Sequence, residues 1–189
     1  MRTLLLALAL LGPVEQLDWA VAHAVQASRR PALEGPMRAV SSGARPPLVA
    51  AGLAVVLAVE LAAGAGWGTV RLAVVALAGT NLVVEVTKRA VDRTRPDGEH
   101  RRSNASFPSS HAANAFALAW VLTARWKRLG WGFFPVAILV AYSRMYLNRH
   151  FLSDVVVGAA VGMAVSWAAA HWLPVRRGPD RAQASPPDP

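Results

Sequence analysis

Apolar residues in this chain come in long blocks, not in the short amphipathic stretches that a soluble core requires. Residues 48–66 (LVAAGLAVVLAVELAAGAG) carry one charge, Glu60. Residues 69–87 carry two, Arg71 and Glu85, while 112–124, 132–143 and 155–170 carry none. About 20 apolar residues cross a bilayer core as a helix, and in lipid a helix satisfies its own backbone polar groups. The pattern predicts five spanning helices at about 47–65, 69–90, 109–126, 131–148 and 151–173. Ahead of them, MRTLLLALALLG has a basic start and an apolar run the length of a signal-peptide core. Pro13 and the charged stretch 15–45 favour its retention as a short helix at 3–12, followed by interfacial helices at about 15–29 and 31–42.

The fold class expected is therefore all-α: a polytopic membrane helix bundle with about five to six transmembrane helices and an N-terminal interfacial helix pair. Its organisation reads as an N-terminal segment at 1–46, a transmembrane core at 47–173 and a tail at 174–189. The tail (PVRRGPDRAQASPPDP) is Pro-rich and charged, hence predicted disordered. Gly158 and Gly162 form a GxxxG pair in the last span, suited to close helix packing.

Tracing five spans puts the long polar stretch 92–108 and the turn near 144–150 on one face of the membrane. Trp67, Trp126, Trp131 and Trp172 all fall on the opposite face, as an interfacial aromatic belt would place them.

Charge then narrows the function classes. The formal net charge of +9 does not mark a nucleic-acid binder, because the cations sit at the ends of apolar blocks and form no continuous basic stripe. Anionic or phosphorylated lipid fits that distribution better. With no cysteine, disulfides and thiol catalysis are excluded.

Three polar groupings converge on the first face. One is KRAVDRTRP at 88–96, with Lys88 and Arg95; the second is PSSH at 108–111, with Ser109, Ser110 and His111; the third is SRMYLNRHFLSD at 143–154. In the third, His150 and Asp154 are four apart, so one helix face brings the carboxylate to a ring nitrogen and leaves the other nitrogen bare. Alone, such a pair is more often packing than catalysis. The PSSH stretch opens an apolar run, and a helix start offers backbone N–H groups and a positive dipole end to an anion. Lysine or arginine at a membrane helix end usually snorkels to the headgroups. Here Lys88, Arg95 and Arg144 come from different spans and share a face with both histidines, and a phosphate dianion needs cations from several directions. The groupings together read as a phosphoryl-transfer site. No Walker loop is present, and five histidines without a clustered carboxylate set argue against a metal.

The spacing Lys-x6-Arg-Pro, Pro-Ser-x-His and Ser-Arg-x5-His-x3-Asp, over about residues 88–154, resembles the type 2 phosphatidic acid phosphatase and vanadium haloperoxidase superfamily. One departure is Ser110, where the family's motif usually has glycine. The resemblance implies the membrane-embedded branch, with His150 as the nucleophile that becomes phosphohistidine, Asp154 as its orienter and His111 as the general acid. It implies a phosphate cradle of Lys88, Arg95, Ser109, Ser110 and Arg144, and no metal or other cofactor. The expected activity is hydrolysis of a terminal phosphate from a membrane lipid: undecaprenyl diphosphate, phosphatidate, phosphatidylglycerol phosphate or a lipid A phosphate. The small chain leans to the prenyl diphosphate. Lipid-to-lipid phosphotransfer and non-catalytic lipid binding are the alternatives.

Other polar residues carry lesser expectations. Glu85 stands three residues before Lys88, within pairing reach; Glu60 faces a helix interface or a water pocket; Arg149 reads as a headgroup contact. His23, His100 and His171 read as interfacial, and Asn104-Ala105-Ser106 fits a glycosylation sequon to which little weight attaches. A literal positive-inside count puts the motif face in the cytoplasm, but the excess shrinks once Lys88, Arg95 and Arg144 are set aside as ligands. The resemblance to outward-facing bacterial enzymes implies an inner (plasma) membrane protein with its site on the periplasmic or outer face.

Overall fold

The computed structural model describes residues 2–101 and 104–173. The tail at 174–189 and Arg102 lie outside the described residues. Seven helices follow one another: α1 (Arg2–Ala27), α2 (Pro31–Gly43), α3 (Pro46–Ala62), α4 (Gly68–Val91), α5 (Ser110–Gly130), α6 (Phe133–Tyr146) and α7 (Leu152–Trp172). Among the described residues there is no strand.

The predicted spans recur as α3 to α7 with ends shifted by a few residues. The predicted break between 12 and 15 is absent, because α1 runs through Pro13. A proline removes one rung of the helix ladder and can kink it, and here both flanking turns continue. Length and hydropathy alone qualify α4 and α7 as spans, and the α2–α3 pair, bent by 62°, makes a third if it is one broken span. α6 is apolar but has 14 residues. α5 packs against α4, α6 and α7 at once, so an apolar surface all round is not required of it.

The bundle is inside-out relative to a soluble protein. Val55, Leu82, Val86, Ile138 and Trp167 are exposed, whereas Glu60, Lys88, Arg95 and Asp154 are buried. Small residues make the interior tight. Two apolar clusters hold α5 in place, Leu72, Ala73, Ala76 and Val121 against α4, and Ala112, Ala141 and Val155 where α5, α6 and α7 meet.

The GxxxG pair is where α7 meets α5. A Cβ on Gly158 would stand 2.6 Å from the Ser109 carbonyl oxygen, and one on Gly162 would stand 2.0 Å from that of Ala113. Only glycine allows this approach, and it fixes the start of α5 against the start of α7. At its other end α5 leaves helical geometry at Trp126 and Lys127, which agrees with the predicted stop at 126.

Candidate active site

The two helix starts that carry the histidine motifs are joined through the backbone. The Ser109 N–H donates to the Asp154 carbonyl (3.0 Å). Ser109 caps α5, its hydroxyl accepting from the Ala112 N–H at 3.5 Å. That leaves the first-turn amides of Ser110 and His111 without an intrahelical acceptor. Of the predicted pair, Ser109 spends its hydroxyl on the cap, and Ser110 stands at the first helical position.

His150 sits just before α7, 3% exposed. Its Nδ1 lies 2.8 Å from the Ser106 carbonyl oxygen and 3.5 Å from Asp154 Oδ2. A carbonyl only accepts, so Nδ1 carries the proton and the Nε2 lone pair is left bare. The tautomer expected from Asp154 is thus set first by the Ser106 backbone, since 3.5 Å is too long for a strong hydrogen bond. Asp154 is fully buried; its Oδ2 accepts from the Phe151 N–H at 2.8 Å and from the Ser106 hydroxyl, and its Oδ1 from Arg93 at 2.8 Å. Burial pushes the His150 imidazole down to about 4, against the upward pull of Asp154. At neutral pH the ring is uncharged, with its proton on Nδ1 and the Nε2 lone pair bare.

The three predicted cations come together and lie within electrostatic reach of one another. Lys88 donates to the Ala105 carbonyl. Arg95 donates to the Asn104 backbone and side-chain oxygens at 3.1 and 2.6 Å and to the Arg149 carbonyl at 3.2 Å. Burial, then Arg149, lowers its pKa from the ordinary value, though an arginine there stays charged. Arg144 donates from Nη1 to the Ser41 hydroxyl on α2 at 2.5 Å, and its buried Nε has no partner. Every one of these partners is neutral.

A polar basin of about 610 Å³ opens here, walled by Arg38, Ser41, Ser42 and Arg45 of the α2–α3 bend, by His111 and Arg144, and by Arg149. One turn deeper along the same helices, Val40, Ala115 and Val140 help line an apolar cleft of about 350 Å³. Among the described residues no group of three His, Cys, Asp or Glu stands close enough to hold a metal ion.

Other expectations changed. Glu85 makes its salt bridge with Arg89 at 3.0 Å, the partner one turn on, and acts on Lys88 only through its charge. Arg149 bridges Asp97 (2.8 Å) and Glu99 (2.6 Å), holding Glu99 below the usual carboxylate range, and also lines the basin. Glu60 faces a helix interface, bound by Arg125 at 2.8 Å and Thr69 at 2.5 Å. His23 and His171 are exposed beside Trp19 and Trp172, and His100 stands 3.4 Å from Asp92. The sequon residues serve the site itself, Asn104 on Arg95 and Ser106 on His150 and Asp154. Sequence reasoning missed Asp18, Arg93 and Ser106. Of these, Arg93 stands inside the first motif.

A family model described as the PAP2 superfamily matches residues 69–177. The chain belongs to the PAP2 superfamily. The chain is 37% identical over 95 residues to the lipid A 1-phosphatase of Porphyromonas gingivalis, covering 48% of this chain and 20% of that one. It is 28% identical over 65 residues to the undecaprenyl-diphosphatase BcrC of Bacillus subtilis, covering 34% of each. The chain thus spans a fifth and a third of these two relatives' lengths. Its fold matches the crystal structure of the first transmembrane PAP2 type phosphatidylglycerolphosphate phosphatase from Bacillus subtilis. That match has a TM-score of 0.73 at 24% identity and covers 85% of this chain and 86% of that one.

Proposed function

We propose that this chain is an integral membrane phosphatase that removes a terminal phosphate from a lipid through a phosphohistidine on His150. The observation that carries the reading is the set of Lys88, Arg95 and Arg144, gathered beside two histidines with neutral hydrogen-bond partners only. Such a cluster is stabilised by an anion that approaches with its own charge.

In this mechanism the cations and the Ser110 and His111 amides hold the phosphate oxygens. His150 Nε2 attacks phosphorus, the bond from phosphorus to the lipid oxygen breaks, and His111 gives that oxygen a proton. His111 then takes a proton from water, the water oxygen attacks phosphorus, and the phosphorus–nitrogen bond breaks to release inorganic phosphate. Asp154 stabilises the positive charge that His150 acquires.

The headgroup occupies the basin and the tail follows the apolar cleft beneath it into the bilayer. Arg45 on the basin wall, with Arg38 paired to Glu34 at 2.6 Å, favours a substrate with a second anionic group beside the scissile phosphate, which points to a diphosphate such as undecaprenyl diphosphate. The site faces the periplasmic or outer side of the bacterial plasma membrane in this reading.

The test is phosphate release by the detergent-solubilised protein across a panel of lipid phosphates, with chelator present. Hydrolysis should persist under chelation and be inhibited by vanadate, and His150→Ala should abolish both turnover and a covalent phosphoenzyme. Wild-type rates in that variant would overturn the mechanism.

A further inference from the structure

Between Lys88 and Arg95 lies Arg93, whose half-buried guanidinium is held by two carboxylates, a hydroxyl and an aromatic ring. Nη1 donates to Asp154 Oδ1 and to the Ser153 hydroxyl, each at 2.8 Å, and Nη2 donates to Asp18 Oδ2 at 2.8 Å. Its Cζ lies 4.2 Å from the centre of the Phe151 ring, and Trp19 meets that ring in a T-shaped contact at 5.0 Å. Asp18, on α1, is 1% exposed. It also accepts from the Ser153 N–H at 2.8 Å and the Ser153 hydroxyl at 2.5 Å, which ties α1 to the first turn of α7.

A continuous chain therefore runs from Asp18 through Arg93 to Asp154 and on to His150. Its charge balance has a consequence for the nucleophile. An arginine facing Asp154 alone would neutralise the carboxylate and remove the negative charge that His150 needs once phosphorylation makes its ring cationic. With Asp18 on the same guanidinium, two carboxylates share one cation and a net negative charge stays beside His150. Lys88 and Arg95 also feel Asp154, and in the proposed mechanism the phosphate takes up their charge.

We propose that Asp18 and Arg93 are positioning residues for phosphoryl transfer, acting through Asp154 to hold its carboxylate in place and keep it effectively charged. The inference rests on the reading of His150 as the nucleophile. Neither residue reaches the reacting atoms, so their effect belongs in turnover and not in substrate affinity.

The experiment measures phosphate release by the full chain in detergent, using undecaprenyl diphosphate and dioleoyl phosphatidate as probes. The variants are Asp18→Asn, Arg93→Lys, Asp154→Asn, the double variant Asp18→Asn/Asp154→Asn, and His150→Ala. Asp18→Asn should lower kcat by about tenfold or more with KM within about twofold. Arg93→Lys should do the same, because one ammonium cannot span both carboxylates. In the Asp154→Asn background, Asp18→Asn should change kcat by less than about twofold, since its route to His150 is already cut. A role confined to holding α1 would instead multiply the two losses, and that result overturns the proposal. So does wild-type kcat in Asp18→Asn, or an effect on KM alone. If Asp18→Asn fails to fold, Arg93→Lys alone and with Asp154→Asn carries the same test. Activity in His150→Ala would overturn the underlying reading, whereas an inactive His150→Ala beside an unaffected Asp18→Asn would overturn only this inference.

Discussion

Buried charge occurs at both ends of the bundle, and the two ends treat it differently. Away from the motifs, Glu60 at the end of α3 meets Arg125 of α5 and Thr69 of α4, one carboxylate against one guanidinium. At the motif end, Lys88, Arg95 and Arg144 bind carbonyls, an asparagine and a serine. The first end closes its charges upon themselves. The second leaves a positive surplus standing, which costs stability until an anion arrives. A buried ion pair alone does not mark the site in this molecule, since Glu60–Arg125 stands at one end and Arg93–Asp154 at the other. Buried cations whose hydrogen-bond partners are all neutral occur at the motif end.

Predictions follow from that contrast. His150→Ala should lower kcat by about a thousandfold or more, as loss of a nucleophile does, while Arg125→Ala should leave kcat within about twofold; phosphate-release kinetics on both variants compare the ends directly. Removing a site cation by Arg144→Met should cost about a hundredfold in kcat/KM. The same change should raise the detergent melting temperature, because it relieves unneutralised charge. Arg125→Ala has the opposite sign: breaking a buried pair costs about 3–5 kcal/mol, seen as a lower melting temperature. Gly162→Ala should destabilise by about 1–3 kcal/mol by driving a methyl into the Ala113 carbonyl. A further effect is in acid. His150 is held neutral down to about 4 while the unfolded ring protonates near 6.5, so its contribution is intact above 6.5 and lost as pH falls towards 4. Melting curves should show part of that loss flattened in His150→Asn.

How much was legible depended on whether a residue's role is local. The helices were, because apolar block length is a local property, and the spacing of Gly158 and Gly162 signalled close packing of the last span, though not that α5 would be its partner. His111, His150 and the three cations were legible as a group because motif order and span count place them on one face. Ser106 was not, since its part is played by a backbone carbonyl that any residue supplies. Asp18 was not either, because an aspartate in a helix just ahead of Trp19 reads as an interfacial charge until α7 is folded against it. The α1 break failed for a related reason: Pro13 removes one hydrogen bond, and α1 carries on beyond it to contacts with α6 and α7 that no local reading could count.

The tie between Asp18 and Ser153 spans 135 residues of chain. During synthesis α1 emerges first, with a carboxylate whose partners on the 91–95 stretch and on α7 do not yet exist. Arg93 follows α4, so the ion-pair partner of Asp18 is in the chain before α5 to α7 are made, whereas Ser153 and Asp154 arrive only with α7. The step that docks α7 therefore both closes the tie from α1 and sets Asp154 beside His150. Assembly and competence for chemistry end on the same event.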